Sequence, residues 1–387
     1  MAIPLHGRLI FGKDLYTQQG LVSILLFILL ALPIDSRAQF TKLLDFGNVD
    51  NGSYPHSTLL SDGTFLYGMT SDGGTNHFGT IFKVKPDGTN FTKIHDFDET
   101  NGSDPYGSLV SDGTFLYGMT SGGGLNSQGI LFKIKSDGTG FANLLDFNYT
   151  TKGGFPYGSL LYDGTFLYGM TSQGGSNSSG TIFKIMPNGT GFVKLFEFDH
   201  ATSGGNPRGS LFSDGTFLYG MTTYGGPTDS GTIFKIMPDG TGFVKLLDFD
   251  GSSTGGNPLG DFISDGTFLY GMTFYGGNNF GTLFKIKPDG TSFSRVFDFN
   301  NSSSGSYPKG TLVYDGTFPY GTTSQGGTNF SGTLFKIKPD GSSFTKLMDS
   351  VEGSGGFSPE GTLILNGTSL IATKPSGGSS GLGRIYK

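Results

Sequence analysis

The sequence predicts an all-β protein, a closed seven-bladed β-propeller of four-stranded blades, and three observations lead there. An Asp-Gly-Thr signature recurs at Asp62, Asp112, Asp163, Asp214, Asp265 and Asp315, with Asn366-Gly-Thr as a seventh copy, at spacings of 50 or 51 residues; this is the period of a propeller blade. Each unit breaks into four short strand-like segments separated by turn residues, and no stretch of ten residues after position 39 carries a helical apolar period. The chain opens on the last segment of a unit and stops on the third.

In the second full unit the expected strands are 107–110, 114–120, 129–135 and 141–147. Ser111-Asp-Gly-Thr114 reads as a two-residue Asp-Gly hairpin, and Lys85-Pro-Asp-Gly-Thr89 places Pro, Asp and Gly as a type I turn with a bulge requires. The second strand, Phe115-Leu-Tyr-Gly-Met119, is apolar on both alternating faces and so is expected to be covered on two sides. The third, Ile81-Phe-Lys-Val-Lys85, carries lysines on one face, which suggests a wetter strand nearer the rim. Glycine recurs inside the second strand, at Gly68, Gly118, Gly169, Gly220, Gly271 and Gly321, where a close approach is expected. Pro319 replaces the leucine of that strand in the sixth unit and implies a bulge or a lost ladder bond.

Closure follows from counting segments. The fourth-strand motif begins at Phe40, Phe91, Phe141, Phe192, Phe243, Phe293 and Phe344, and the third-strand motif at Gly79, Gly129, Gly180, Gly231, Gly281, Gly332 and Gly383. Residues 40–46 are therefore expected to complete the last blade, removing two open sheet edges.

Residues 1–38 differ from the rest: basic Arg8 and Lys13, an apolar run from Leu21 to Leu32, then Ser36-Arg37-Ala38. This is the layout of a secretory signal peptide, and the run is too short for a membrane span. Residues 39–387 are then one propeller domain, secreted to the extracellular space, the periplasm or the cell surface. Losing three basic and two acidic residues takes the net charge from −6 to −7, which argues against nucleic acid and anionic membranes as partners. With no cysteine, stability must come from packing and closure. The 68 Gly and 17 Pro make the chain rich in turns, while 37 Phe and 17 Tyr supply a core that disordered Gly-rich chains lack.

The unit from Asp248 to Thr291 runs Asp-Phe-Asp, Pro258-Leu-Gly260, Asp265-Gly266, Leu269-Tyr-Gly-Met-Thr273, Gly276-Gly277, Gly281-Thr-Leu-Phe-Lys285 and Pro288-Asp-Gly-Thr291. It resembles the tandem repeat named for Gloeobacter and Verrucomicrobia, and the resemblance covers residues 40–387. It implies an exported bacterial protein of propeller-like fold. Such proteins often carry a C-terminal anchoring domain, and the family brings no catalytic residues to carry over.

Catalytic chemistry finds little purchase. His56, His77, His95 and His200 are scattered one to a unit, with no pair at ligand spacing, so no metal and no cofactor are expected. One carboxylate per Asp-Gly turn is too few for calcium. Asp104, Asp229, Asp261 and Glu360 lie outside the repeated positions and are the carboxylates a hydrolase or lyase would draw on.

Variation on the constant frame is more informative. The middle residue of the Pro-x-Gly element that leads into each blade runs His56, Tyr106, Tyr157, Arg208, Leu259, Lys309 and Glu360. With the ring closed, these positions surround one mouth of the central channel. Their mix of aromatic, basic and acidic groups suits a polar ligand, with drift at exposed positions as the alternative. On the same face the loop after the second strand varies as well, and Tyr224, Phe274 and Tyr275 form a possible stacking platform. The expectation is a monomeric, non-enzymatic binding module for a glycan or a protein. A polysaccharide hydrolase or lyase and a purely structural surface protein are the alternatives.

Overall fold

The computed structural model describes residues 40–350 and 363–387. The segment read as a signal peptide and the candidate Glu360 lie outside these residues. Seven antiparallel sheets of four strands each are arranged in a ring. Blades 1 to 6 span residues 60–96, 110–146, 161–197, 212–248, 263–298 and 313–349. The seventh is built from Leu363–Asn366, Ser369–Lys374 and Arg384–Tyr386, with Lys42–Asp45 from the chain start as its fourth strand.

That clasp is a full strand pairing. Lys42 lies opposite Tyr386 and Asp45 opposite Arg384, while Thr41 and Lys387 exchange both backbone bonds at 2.8 Å. Arg384 grips Asp45 with Nε and Nη2, and both side chains are largely buried. Phe46, 1% exposed, follows the strand into the core between the last and first blades.

A separate apolar cluster fills each blade interface. Between blades 3 and 4, for instance, Tyr168, Met170, Ile182 and Phe198 meet Leu211, Leu218, Phe234 and Ile236. The pattern explains the two-sided second strand, whose five residues are all buried in the first five blades. Its glycine makes room for an aromatic ring of the third strand. A Cβ at Gly68 would stand 2.6 Å from the Phe82 ring and 2.7 Å from Leu59. The third strand is not the wetter one: Thr80, Ile81, Phe82 and Val84 are buried. Lys83 holds its ammonium over the Phe65 ring and donates from Nζ to Ser136 O of the next blade, so the lysines tie blades together rather than mark solvent. The fourth strand is the exposed one.

The Asp-Gly-Thr hairpin closes one residue later than its sequence suggests. Asp62 N donates to Phe65 O, leaving Gly63 and Thr64 as the loop, with φ of +87° at Gly63 as a II′ turn gives its first central residue. The aspartate works from beside the loop. Oδ1 accepts from Thr64 N and Phe65 N, and Oδ2 from the Tyr67 hydroxyl at 2.8 Å. The Tyr67 phenol is pushed up to about 12 by burial and by this carboxylate. At Lys85–Thr89 the bulged turn forms as expected, with Gly88 at φ +84°.

Pro319 leaves the register of its hairpin intact. Its missing N–H removes one ladder bond, while Ile337 N still donates to Pro319 O at 3.1 Å. The first strands are only two residues long in blades 1 to 6, because the backbone before them bonds to neighbouring blades instead.

Candidate functional site

Those bonds form a belt around the ring axis. Thr58 N donates to Ser108 Oγ, Ser108 N to Ser159 Oγ and Ser159 N to Ser210 Oγ, each at 2.8 Å. Ser210 N then donates to Asp261 Oδ1, and Asp261 N to Thr311 Oγ1. The glycine before Ser108, Ser159, Ser210 and Asp261 is needed for the same approach, since a Cβ at Gly107 would sit 2.3 Å from Gly158 O and one at Gly158 2.2 Å from Gly209 O.

Just ahead of the belt lies the varied Pro-x-Gly element. The residue before its proline takes a left-handed backbone in blades 1 to 6: Tyr54, Asp104, Phe155, Asn206, Asn257 and Tyr307 have φ between +53° and +57°. This conformation costs a non-glycine residue about 1 kcal/mol and is held from two sides. Asn206 N donates to Ser179 O of the preceding blade, and its carbonyl accepts from Thr223 N of its own. Single bridges such as Gly205 to Tyr224 and Gly256 to Tyr275 bind this element to the loop after the second strand, which places both variable segments on one face.

On that face the first four middle residues form a continuous arc. The rings of His56 and Tyr106 are 5.0 Å apart at 49°, and those of Tyr106 and Tyr157 5.2 Å apart at 50°. The Arg208 guanidinium lies 5.2 Å from the Tyr157 centroid, and its Nε donates to Asn206 Oδ1 at 2.9 Å. Arg208 is exposed and the three rings are half-buried. Leu259 is half-buried too, and Lys309 belongs to a second group, with its Nζ 5.9 Å from the Phe274 ring.

In that second group Phe274 meets Tyr275 edge-on at 4.7 Å and stacks on Tyr307 at 4.9 Å. Tyr307, absent from the sequence reading, is the keystone, reaching back from its left-handed position onto the preceding blade. Tyr224 is exposed and makes no ring contact with this group among the described residues, so of the expected Tyr224, Phe274 and Tyr275 only the last two come together, with Tyr307 as their third ring.

The outlying carboxylates are dispersed. Asp104 opens blade 2, its carboxyl raised above the usual range by burial and by Asp72 nearby. Asp261 takes a serine's place in the belt near blade 5, and burial raises it in spite of bonds from Ser210 and Thr311. Asp229 pairs with His200 at 3.0 Å on an exposed edge. His95 is half-buried, stacked on Phe141 at 4.0 Å where Phe196 and Phe297 stand in other blades, and burial lowers its pKa. Among the described residues no three His, Asp or Glu side chains are grouped to hold a metal ion. On the opposite face, a groove of about 300 Å³ runs between blades 1 and 2, beside Ser136, which replaces the proline found there in other repeats.

The profile of the Gloeobacter/Verrucomicrobia repeat matches residues 32–165, 110–280 and 281–387. The chain belongs to this repeat family. No curated protein matches it in sequence. Among solved structures, the repeat ring is similar to an oligogalacturonate lyase from Vibrio parahaemolyticus, with a TM-score of 0.60 and 13% identity over 91% of this chain and 94% of that one. A second oligogalacturonate lyase, in complex with manganese, gives 0.59 and 13% over 91% and 93%. The extracellular domain of a one-component system from B. thetaiotaomicron gives 0.59 and 13%, over 90% of this chain and 40% of that one. At such identity the likeness is one of fold, and fold does not carry activity.

Proposed function

We propose that this member of the repeat family is an exported, non-enzymatic module that binds a glycan at the channel mouth. The observation that carries the reading is the arc His56, Tyr106, Tyr157 and Arg208, in which three ring faces and a guanidinium follow one another at 5.0 to 5.2 Å. This step is comparable to the length one pyranose residue adds to a chain, and partly buried rings with polar edges suit sugars, which offer apolar C–H faces bordered by hydroxyls. The belt and the glycines beneath hold the arc rigid, so little conformational entropy is lost on binding. Export rests on the charge, apolar run and small-residue site of residues 1–38.

The test is to incubate the purified protein with immobilised glycans, scoring retention of protein and release of soluble sugar together. Retention without release, lowered at least tenfold by Tyr106→Ala with Tyr157→Ala, is expected. Released sugar would replace the binding module with a hydrolase or lyase, and no retention on any glycan would turn the search to protein ligands.

A further inference from the structure

Resting on that reading of the mouth, we infer that the arc selects acidic glycans, and that Arg208 is the residue that reads the acid group. Arg208 differs from its neighbours in having its charge prepared but not used within the protein. Its Nε is occupied by Asn206 Oδ1, and its plane is steadied by the Tyr157 ring. Among the described residues no carboxylate pairs with it, and neither Nη group has a protein acceptor. Many basic side chains in the repeats are engaged within the protein. Lys93, Lys245 and Lys346 each pair with the acid three residues on, Lys83, Lys184, Lys235 and Lys285 donate to the next blade, and Arg384 closes the ring.

Asn206 is itself fixed by its left-handed backbone and by bonds to blades on either side, so the guanidinium is aimed before a ligand arrives. A fork whose outer nitrogens are vacant fits a planar carboxylate, or two oxygens of a sulfate, through paired N–H···O bonds. The rings of Tyr157, Tyr106 and His56 continue from it at sugar-length steps, which ties the acid to a saccharide chain rather than to a free anion. The negative net charge of the chain opposes an acidic ligand only at long range, because physiological salt screens beyond about 8 Å. Contact at Arg208 is therefore decided locally.

The experiment compares matched acidic and neutral ligands by calorimetry on the purified protein. The pairs are oligogalacturonate and its methyl ester, oligoglucuronate and its methyl ester, and a sulfated oligosaccharide with its desulfated form. The wild type is expected to prefer one acidic member over its neutral partner by roughly ten- to a hundredfold, as hydrogen bonds to a charged group imply. R208Q should reduce that preference to within about threefold by weakening the acidic member far more than the neutral one, and R208K should restore only part of it, because lysine lacks the fork. Tyr106→Ala should weaken both members of the pair alike. Which pair shows the preference separates carboxylate from sulfate. Equal affinity for acid and neutral partners, both weakened by Tyr106→Ala, would sink the acid reading and leave the glycan reading standing. An acid preference that survives R208Q would remove Arg208 from the role. Binding of none of the six ligands would overturn the acid reading, and the glycan reading falls with it only where the immobilised glycans retain no protein either.

Discussion

Truncating Phe46 tests whether the first strand is as much a part of the ring as any other. Phe46 is 1% exposed, with its ring 5.2 Å from Phe82 and 5.9 Å from Phe91. Phe198 holds the same place in a blade made from continuous chain, with Phe234 at 5.2 Å and Phe243 at 6.4 Å. Burying a phenylalanine removes about 200 Å² from water. At about 25 cal/mol per Å², and with alanine retaining part of the contact, truncation loses about 3 kcal/mol, and the cavity left behind adds about 1 kcal/mol more. F46A and F198A should therefore each cost about 4 kcal/mol in urea unfolding followed by tyrosine fluorescence, in one transition of unchanged slope. A loosely attached strand would behave otherwise. F46A within about 1 kcal/mol of the wild type, beside an F198A that loses the full amount, would refute the closure argument.

Asp214 accepts from Thr216 N, Phe217 N and the buried Tyr219 hydroxyl, so D214A should cost about 2–3 kcal/mol and D214N about 1 kcal/mol. Burial pulls the Asp214 carboxyl up, but the bonds from Phe217, Tyr219 and Thr216 outweigh it and leave it below 3.8. Its contribution is thus present above pH 3.8 and lost as pH falls through the folded value, and D214A should flatten that limb of a stability–pH curve. A D214A penalty under about 0.5 kcal/mol would show the turn to be held by backbone alone. Asp261 has the opposite sign. Raised above 3.8 by burial, it favours folding at low pH and loses that favour as pH rises through the folded value, so D261S should gain on the wild type as pH climbs above 3.8. Thermal melts of the two proteins from pH 3 to pH 8 with a constant difference would contradict the placement of this carboxylate in the belt.

Blade number, strand order and closure were legible because they depend on local chemistry repeated at a fixed period. Asp-Gly-Thr and Pro-Asp-Gly-Thr impose turns wherever they occur, and an orphan fourth strand at Phe40 has one place to go. The third strand misleads in sequence because alternating lysines look like a solvated face, whereas Lys83, Lys184, Lys235 and Lys285 set their ammonium over a phenylalanine ring and donate to a carbonyl of the next blade. The belt left a trace, a small hydroxyl residue after Pro-x-Gly at Ser108, Ser159, Ser210 and Thr311, yet its partners are some 50 residues away and no local rule joins them. Tyr307 and Asn206 carry no such signal in sequence, because residues before a proline are ordinarily extended. Only the bonds to both flanking blades hold them left-handed and turn their side chains toward the arc and the Phe274 group. Arg208 was visible as one of seven varied residues, but its vacant fork is a property of the assembled face.

Where a ligand touches the ring decides between the channel mouth and the opposite face. Hydrogen–deuterium exchange of the purified protein with and without a retained glycan would locate the contact. Slowed exchange in peptides covering 53–58, 103–108, 154–159 and 205–210, with the Asp-Gly-Thr turns unchanged, is the predicted result. Protection confined to those turns, or to the groove beside Ser136, would place binding on the opposite face and contradict the assignment of the channel mouth.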